Sequence, residues 1–158
     1  MGTRTTALAD QFEAAVSQFA DAIQKVPDGK WNAQTEEGWT VAACAQHVAG
    51  QFPLEMEFIT AAAEGKALPS YSWDDINGKN DGRAANETAV SKEHVLRTLR
   101  DGAASTSAYL RKLDDSQLDN KGALALAGGA EVTTEQLIMG GVLIDHVLGH
   151  LKSIQAAG

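Results

Sequence analysis

The stretch that decides the fold is Ile144-Asp145-His146-Val147-Leu148-Gly149-His150-Leu151-Lys152-Ser153-Ile154, near the C-terminus. Its apolar residues recur at spacings of three and four, which is the pattern of an amphipathic α-helix. His146 and His150 are four residues apart, so both imidazoles leave the same face of that helix. The stretch therefore predicts a helix that presents two histidines to the protein interior.

The start of this helix is marked a short distance upstream. Thr133 and Gln136 have the spacing of a capping box, and Val132 and Leu137 are placed to form its hydrophobic staple. We expect one helix from Thr133 nearly to the C-terminus.

Three further segments show helical periodicity. They run from about Thr6 to Val26, from Thr40 to about Ala63, and from Ser91 to about Leu113. Pro53 should kink or restart the second of them, because proline removes a helical hydrogen bond. Four helices of this length predict an all-α protein: an up-and-down-type four-helix bundle, with a long connection between helices 2 and 3, forming a single domain over residues 1–158.

Two segments between the predicted helices need a structural interpretation. The alternation in Ala123–Ala127 is a weak strand signal, because alanine is a poor strand former, and we interpret it as a loop. The Glu64–Thr88 connection is too long to be structureless in a compact domain unless it is functional, and a short helix could start at Trp73. The polar and aromatic residues of this connection could line a pocket mouth or form a polar surface loop, and the sequence leaves both open for Trp73, Asp75, Asn77, Asn80 and Asp81.

Composition narrows the class of protein. Of the 158 residues 44% are hydrophobic and 22% are charged, which excludes a disordered chain. The single cysteine, Cys44, cannot pair within the chain and suits a reducing, cytoplasmic compartment. No continuous apolar run reaches the roughly 18 residues of a membrane span. A net charge of −8 argues against nucleic-acid and anionic-membrane partners, because both require a basic surface.

The histidines are the residues that point to chemistry. His146 and His150 can bring two neutral ring nitrogens to one metal ion, and a bundle can place His47 of the second helix within reach of them. Three histidines with an open fourth position match a catalytic zinc-type site better than a closed structural one. The alternative is a pair of ordinary core or surface histidines, but buried imidazoles need polar partners and the neighbouring residues are almost all aliphatic.

Five other residues are weaker candidates for a role in the site. We expect His94 to lie on the surface and Cys44 to be a buried core residue rather than a ligand. Trp39 is expected to pack at the entry of the second helix. Glu55 and Glu57 could orient a ligand or act as a base, but a solvated helix face is the expected position for both.

Two stretches resemble the DinB/YfiT-like metalloenzyme family. Gly38–Ala49, with Trp39, Thr40 and His47, is similar to that family's W-(S/T)-x-x-x-x-x-x-H-(hydrophobic) helix, and Ile144–Ile154 is similar to its closing H-x-x-x-H-L-x-x-I helix. The glycine-bearing loop from Ala127 to Val132 also fits the family pattern. The resemblance extends over nearly the whole chain in order and spacing.

The resemblance implies a four-helix bundle, commonly a homodimer, that binds a divalent metal through His47, His146 and His150. It further implies activation of a low-molecular-weight thiol such as bacillithiol or mycothiol for S-transfer to a small electrophile, or for isomerisation as in the mycothiol-dependent maleylpyruvate isomerases. Zinc, nickel, iron and manganese all accept imidazole ligands, so the metal stays open. The alternatives are a metal-dependent hydrolase that uses bound water, and a non-catalytic metal-binding or small-molecule-binding stress protein.

Overall fold

The computed structural model describes residues 2–86 and 90–157, with side chains for residues 2–80 and 90–157. Its regular elements, in chain order, are α1 (Thr3–Lys25), α2 (Val41–Ala63), α3 (Trp73–Asn86), α4 (Lys92–Lys112), β1 (Lys121–Leu124), β2 (Ala130–Thr133), α5 (Thr134–Met139) and α6 (Ile144–Ala157).

Helices α1, α2, α4 and α6 form the predicted four-helix bundle. Helix α1 packs mainly against α4 and α6, and α2 packs mainly against the same two helices. The residues that fill the centre are large apolar side chains with almost no solvent exposure, among them Phe12, Phe19, Phe52, Leu99 and Ile154. Because α2 and α6 are neighbours in this arrangement, His47 can approach the histidine pair on α6.

The predicted helix starts are confirmed at three positions. The side chain of Thr40 accepts a hydrogen bond from the backbone N–H of Ala43, and Ser91 does the same for His94. Thr133 and Gln136 form the reciprocal capping box at the start of α5. These caps are local interactions, which explains why the sequence was sufficient to locate them.

The prediction of one continuous fourth helix is wrong. The chain leaves helical geometry after Met139, and Gly140 is extended, with φ −82° and ψ −158°. The carbonyl of Gly140 then accepts hydrogen bonds from the N–H groups of Leu143 and Asp145, where the next helix begins. Two consecutive glycines reduce the free energy that is lost when the helix breaks here, since each disfavours a helix by about 1 kcal/mol relative to alanine.

Pro53, by contrast, does not interrupt α2. The helix runs without a break from Val41 to Ala63, and the proline ring lies on an exposed position. The expected restart at this residue is therefore not observed.

The interpretation of Ala123–Ala127 as a plain loop is also wrong. Strands β1 and β2 form an antiparallel hairpin in which Gly122 pairs with Val132 and Leu124 pairs with Ala130. The connection closes through Gly128 and Gly129, which have φ values of 68° and 85°. Glycine adopts this left-handed conformation without the penalty that other residues bear. Backbone pairing thus makes a hairpin from residues with low strand propensity.

The long connection contains the expected extra helix. Helix α3 begins at Trp73 and extends well beyond the short helix that the sequence suggested. Ser72 and Asp75 cap it reciprocally, each side chain accepting a hydrogen bond from the other's backbone N–H. The indole of Trp73 donates to the carbonyl of Leu126 over 2.8 Å, which links α3 to the β1–β2 hairpin.

The segment Thr134–Ala157 is long and apolar enough to cross a membrane by length and composition, with a mean hydropathy of 1.3. It comprises α5 and α6, which are separated by the break at Gly140 and pack within the bundle. A core segment of a helical protein passes the same test, so this is weak support for a membrane span.

Candidate metal centre

Three imidazoles meet between α2 and α6. The Nε2 atom of His146 lies 3.0 Å from Nε2 of His47 and 3.0 Å from Nε2 of His150. The three ring centroids are 4.6 to 4.9 Å apart. One nitrogen from each ring can therefore contact a single ion, as the sequence predicts for these three residues.

The protonation of these rings determines what can occupy the space between them. The tautomer of a histidine is set by the hydrogen bond that its other nitrogen makes. Nδ1 of His150 contacts both oxygens of Glu37, so this carboxylate places the ring proton of His150 on Nδ1 and leaves a lone pair on Nε2, the atom nearest to His146. Neutral imidazole nitrogens that converge in this way are typical ligands of a divalent cation. The donor set therefore fits a metal ion.

Glu55 is the carboxylate behind His146. Its Oε1 lies 2.6 Å from Nδ1 of His146, although the contact is not aligned as a hydrogen bond. The side chain is only 6% exposed. Burial raises the pKa of Glu55 above its ordinary value, and His146 partly offsets this rise. The predicted solvated position is therefore wrong for Glu55.

The signal that could have revealed Glu55 is its place on the α2 stripe. Val48, Phe52 and Ile59 are buried residues of the apolar face, and Glu55 falls between them at the same helical spacing. A lone acid on an apolar stripe needs a polar partner inside the protein. Glu57, two residues on, is exposed as the sequence predicts.

Glu37 is the carboxylate behind His150, and sequence reasoning missed it. Its two oxygens lie 3.0 and 2.9 Å from Nδ1 of His150. The hydroxyl of Ser153, one turn further along α6, donates to Glu37 over 2.5 Å. Burial, reinforced by His146, lowers the pKa of His150, whereas Glu37 opposes that shift. A low pKa keeps the imidazole neutral, which is the form that binds metals.

Cys44 has the core position expected of it. Its side chain is fully buried, and its Sγ lies 3.5 Å from Nδ1 of His150. With Glu37 and His150 it forms a second group of close donor atoms, but on the Nδ1 side of the ring. Burial, with a contribution from the charge of Glu37, raises the pKa of the Cys44 thiol to about 12. The thiol therefore stays protonated at neutral pH.

Of the other residues that the sequence analysis considered, one lies beside the histidines and another lies on the protein surface. Trp39 packs at the entry of α2, and its ring centroid lies 5.0 Å from that of His47. His94 is exposed in the first turn of α4, as predicted. Gly149, between the two α6 histidines, has open space beside it, because a Cβ there would meet nothing within 4 Å.

A cavity of about 480 Å³ opens onto the histidines. Its walls come from α2, α3, the hairpin and the start of α6, and they are mainly apolar. The lining residues are Trp39, His47, Gln51, Leu54, Glu55, Phe58, Trp73, Ile76, Asn77, Asn80, Leu124, Leu126, Ala127, Gly141, Val142, His146 and His150.

The cavity shows which residues of the long connection line a pocket and which do not. Trp73, Asn77 and Asn80 line the cavity, whereas Asp75 caps α3. The side chain of Asp81 lies outside the described residues. Helix α3 of this connection thus supplies one wall of the space in front of the histidines.

Comparison with known proteins identifies the family at this point. The sequence profile of the DinB superfamily matches residues 11–154. The chain belongs to the DinB superfamily. A comparison with curated protein sequences gives no match.

Solved structures with the same fold include three whose descriptions bear on the site. YfiT from Bacillus subtilis, described as a probable metal-dependent hydrolase with an unusual four-helix bundle topology, is 18% identical, with a TM-score of 0.75 over 97% of this chain and 85% of YfiT. The mycothiol-dependent maleylpyruvate isomerase is 16% identical, with a TM-score of 0.71 over 96% of this chain and 59% of the isomerase. The fold of this chain is thus shared with a protein described as a probable metal-dependent hydrolase and with one described as a mycothiol-dependent isomerase.

The third structure corrects an expectation drawn from charge. The colibactin self-resistance protein ClbS, solved in complex with double-stranded DNA, is 11% identical, with a TM-score of 0.71 over 97% of this chain and 94% of ClbS. A protein of this fold is therefore seen with DNA. The exclusion of nucleic acid on the net charge of −8 alone is unsupported.

Proposed function

We propose that His47, His146 and His150 bind a divalent metal ion and that the protein is a metal-dependent enzyme of small-molecule chemistry. The observation that carries the proposal is the convergence of three Nε2 atoms, with two contacts of 3.0 Å, at the end of a cavity. When bound, such an ion acts as a Lewis acid and lowers the pKa of a thiol or a water molecule in its open position.

The reaction we favour is transfer of a low-molecular-weight thiol, such as bacillithiol or mycothiol, to an electrophile. In a transfer, the thiol gives up its proton, its sulfur forms a bond to carbon, and the leaving group departs with the electron pair of its own bond. In an isomerisation no group is lost from the substrate: the thiol adds across a double bond, and its later elimination restores the double bond and the free thiol. The isomerase of the same fold, described as mycothiol-dependent, supports this choice.

The cavity walls indicate the chemistry of the electrophile. Most of the lining side chains are apolar, and among the described lining residues none is lysine or arginine. Glu55 is the one carboxylate among the lining residues that the structure describes, and Oδ1 of Asn80 is buried without a hydrogen bond. We therefore propose an uncharged, largely apolar electrophile that carries a hydrogen-bond donor, because apart from the proposed metal ion the described lining residues offer a carboxylate no cation.

A metal-dependent hydrolase is the second candidate. The description of YfiT supports it, as does the opening of the three histidines onto a cavity that water can enter. A hydrolase would convert substrate without any added thiol, which distinguishes the two reactions.

The metal site is tested by elemental analysis of the untagged protein and of its variants. We expect a stoichiometric metal in the wild type, its loss in His146→Ala, and its retention in the His94→Ala control, which removes an exposed histidine. Metal at about 100 times its dissociation constant should stabilise the fold by about 2.7 kcal/mol. Equal and negligible metal in the wild type and His146→Ala would refute the site.

The reaction is tested with the zinc-loaded protein. A panel of uncharged electrophiles is incubated with bacillithiol, mycothiol, glutathione or no thiol, and the products are identified by mass spectrometry. An S-conjugate formed only with thiol supports transfer, and turnover without thiol supports the hydrolase. Inactivity with every thiol and metal would support a non-catalytic binding protein.

A further inference from the structure

The segment before α2 forms a turn that is closed on itself. The backbone N–H and the hydroxyl of Thr35 both donate to the carbonyl of Trp39, over 2.8 and 2.9 Å. Gly38 donates to the carbonyl of Thr35 over 3.1 Å and has a φ of +86°. The turn is therefore fixed by its own hydrogen bonds and by a glycine in the left-handed region.

This turn places two side chains against the histidines. The carboxylate of Glu37 contacts Nδ1 of His150 with both oxygens and accepts the Ser153 hydroxyl. The indole of Trp39 is stacked on His150, with ring centroids 6.4 Å apart and planes 15° apart. One face and one edge of the His150 ring are thus held by residues two positions apart in the chain.

We propose that the Thr35–Trp39 turn is a positioning element for His150, in which Glu37 fixes the Nδ1–H tautomer and the ring orientation and Ser153 fixes Glu37. This inference rests on the proposed metal site. A carboxylate on the far nitrogen directs the Nε2 lone pair towards the ion and makes it a stronger donor. Loss of such an outer partner typically lowers metal affinity 10- to 100-fold.

The test measures zinc affinity by competition with a chromophoric chelator, and it records the visible absorption spectrum of the cobalt(II)-loaded protein. Glu37→Ala should weaken zinc binding at least tenfold and change the cobalt spectrum. Glu37→Gln, which keeps an acceptor for Nδ1–H, should restore part of the affinity. Glu36→Ala is the matched control, because it removes the same charge from an exposed neighbouring position and should leave both measurements unchanged.

Ser153→Ala tests the second contact. It should weaken zinc binding by a smaller factor than Glu37→Ala does, and it should have no further effect in the Glu37→Ala background, because the hydroxyl acts only through that carboxylate. Thermal unfolding of the metal-free proteins shows whether each variant is folded. Wild-type affinity and an unchanged cobalt spectrum in folded Glu37→Ala would overturn the inference, whereas failure of the wild type to bind metal would overturn the proposed function instead.

Discussion

Glu55 and His146 form a buried acid–imidazole contact between α2 and α6, with 2.6 Å between Oε1 and Nδ1. The acid lies on the apolar stripe of its helix and lines the cavity in front of the histidines. A buried carboxylate is costly unless a partner compensates for it. The contact with His146 is therefore the feature of the structure that compensates for burial of this acid.

The first prediction follows from that contact. Glu55→Gln preserves the shape of the side chain but removes the charge that burial disfavours. We expect the metal-free variant to unfold at the same temperature as the wild type or a higher one, and its zinc affinity to fall about tenfold. Thermal unfolding in chelator and zinc titration measure the two effects. Glu57→Gln, on the exposed face of the same helix, is the control and should change neither.

The second prediction concerns helix packing. A Cβ at position 102 would lie 2.8 Å from Cδ2 of Phe52, a buried ring at the α2–α4 contact. Overpacking of this kind costs about 1 to 3 kcal/mol, which outweighs the gain of about 1 kcal/mol in helix propensity. Gly102→Ala should therefore lower the free energy of unfolding measured in urea. Gly149→Ala, where a Cβ meets nothing within 4 Å, should raise it by up to about 1 kcal/mol. A stabilised Gly102→Ala would contradict the close packing.

The third prediction concerns acid stability. Hydrogen bonds from Ser107 and then Arg111 lower the pKa of Glu13 below its ordinary value. A group whose pKa is lower in the folded protein stabilises the fold above its unfolded pKa, and this contribution is lost as the pH falls through the folded pKa. Glu13→Gln should therefore reduce stability at pH 7 by about 1 kcal/mol or less, because the pair is half exposed.

Urea unfolding at pH 7 and at about pH 3 measures this dependence. The difference between the wild type and Glu13→Gln should shrink as the pH falls, because protonation removes the same charge from the wild type. Glu131→Gln, an exposed carboxylate on β2, serves as the control. A difference that grows on acidification would have the wrong sign for this interaction.

The fourth prediction concerns Cys44. Burial raises the pKa of the Cys44 thiol to about 12, so the unreactive protonated form dominates at pH 8, and the side chain is fully buried. We expect the folded protein to resist a disulfide reagent under conditions in which the urea-unfolded protein reacts at once. Rapid modification of the folded chain would contradict the buried position of this thiol.

The local features of the fold were predictable from the sequence because they depend on neighbouring residues. The caps at Thr40, Ser91 and Thr133 each involve atoms three residues apart. The break at Gly140 and the β1–β2 hairpin were missed for a related reason. The paired glycines and alternating alanines were visible, but their effect depends on backbone bonding that propensity alone does not fix.

The residues of the candidate site also differ in whether a local sequence pattern could indicate them. The spacing of His146 and His150 on one helix determines that they share a face, and the sequence also contained the buried stripe on which Glu55 lies. Glu37 could not be found in this way, because it is 113 residues from the imidazole that it contacts.

The sequence by itself thus determined helices α1, α2 and α4, the caps at Thr40, Ser91 and Thr133, and the shared face of His146 and His150, since helical periodicity relates residues only three and four positions apart. Only the tertiary structure decided that His47 meets them, that Glu37 and Glu55 lie against the opposite ring nitrogens, and that α3 and the hairpin line a cavity in front. Those contacts depend on which helices pack together, and packing is set by the fit of whole apolar faces and not by any single stretch of residues.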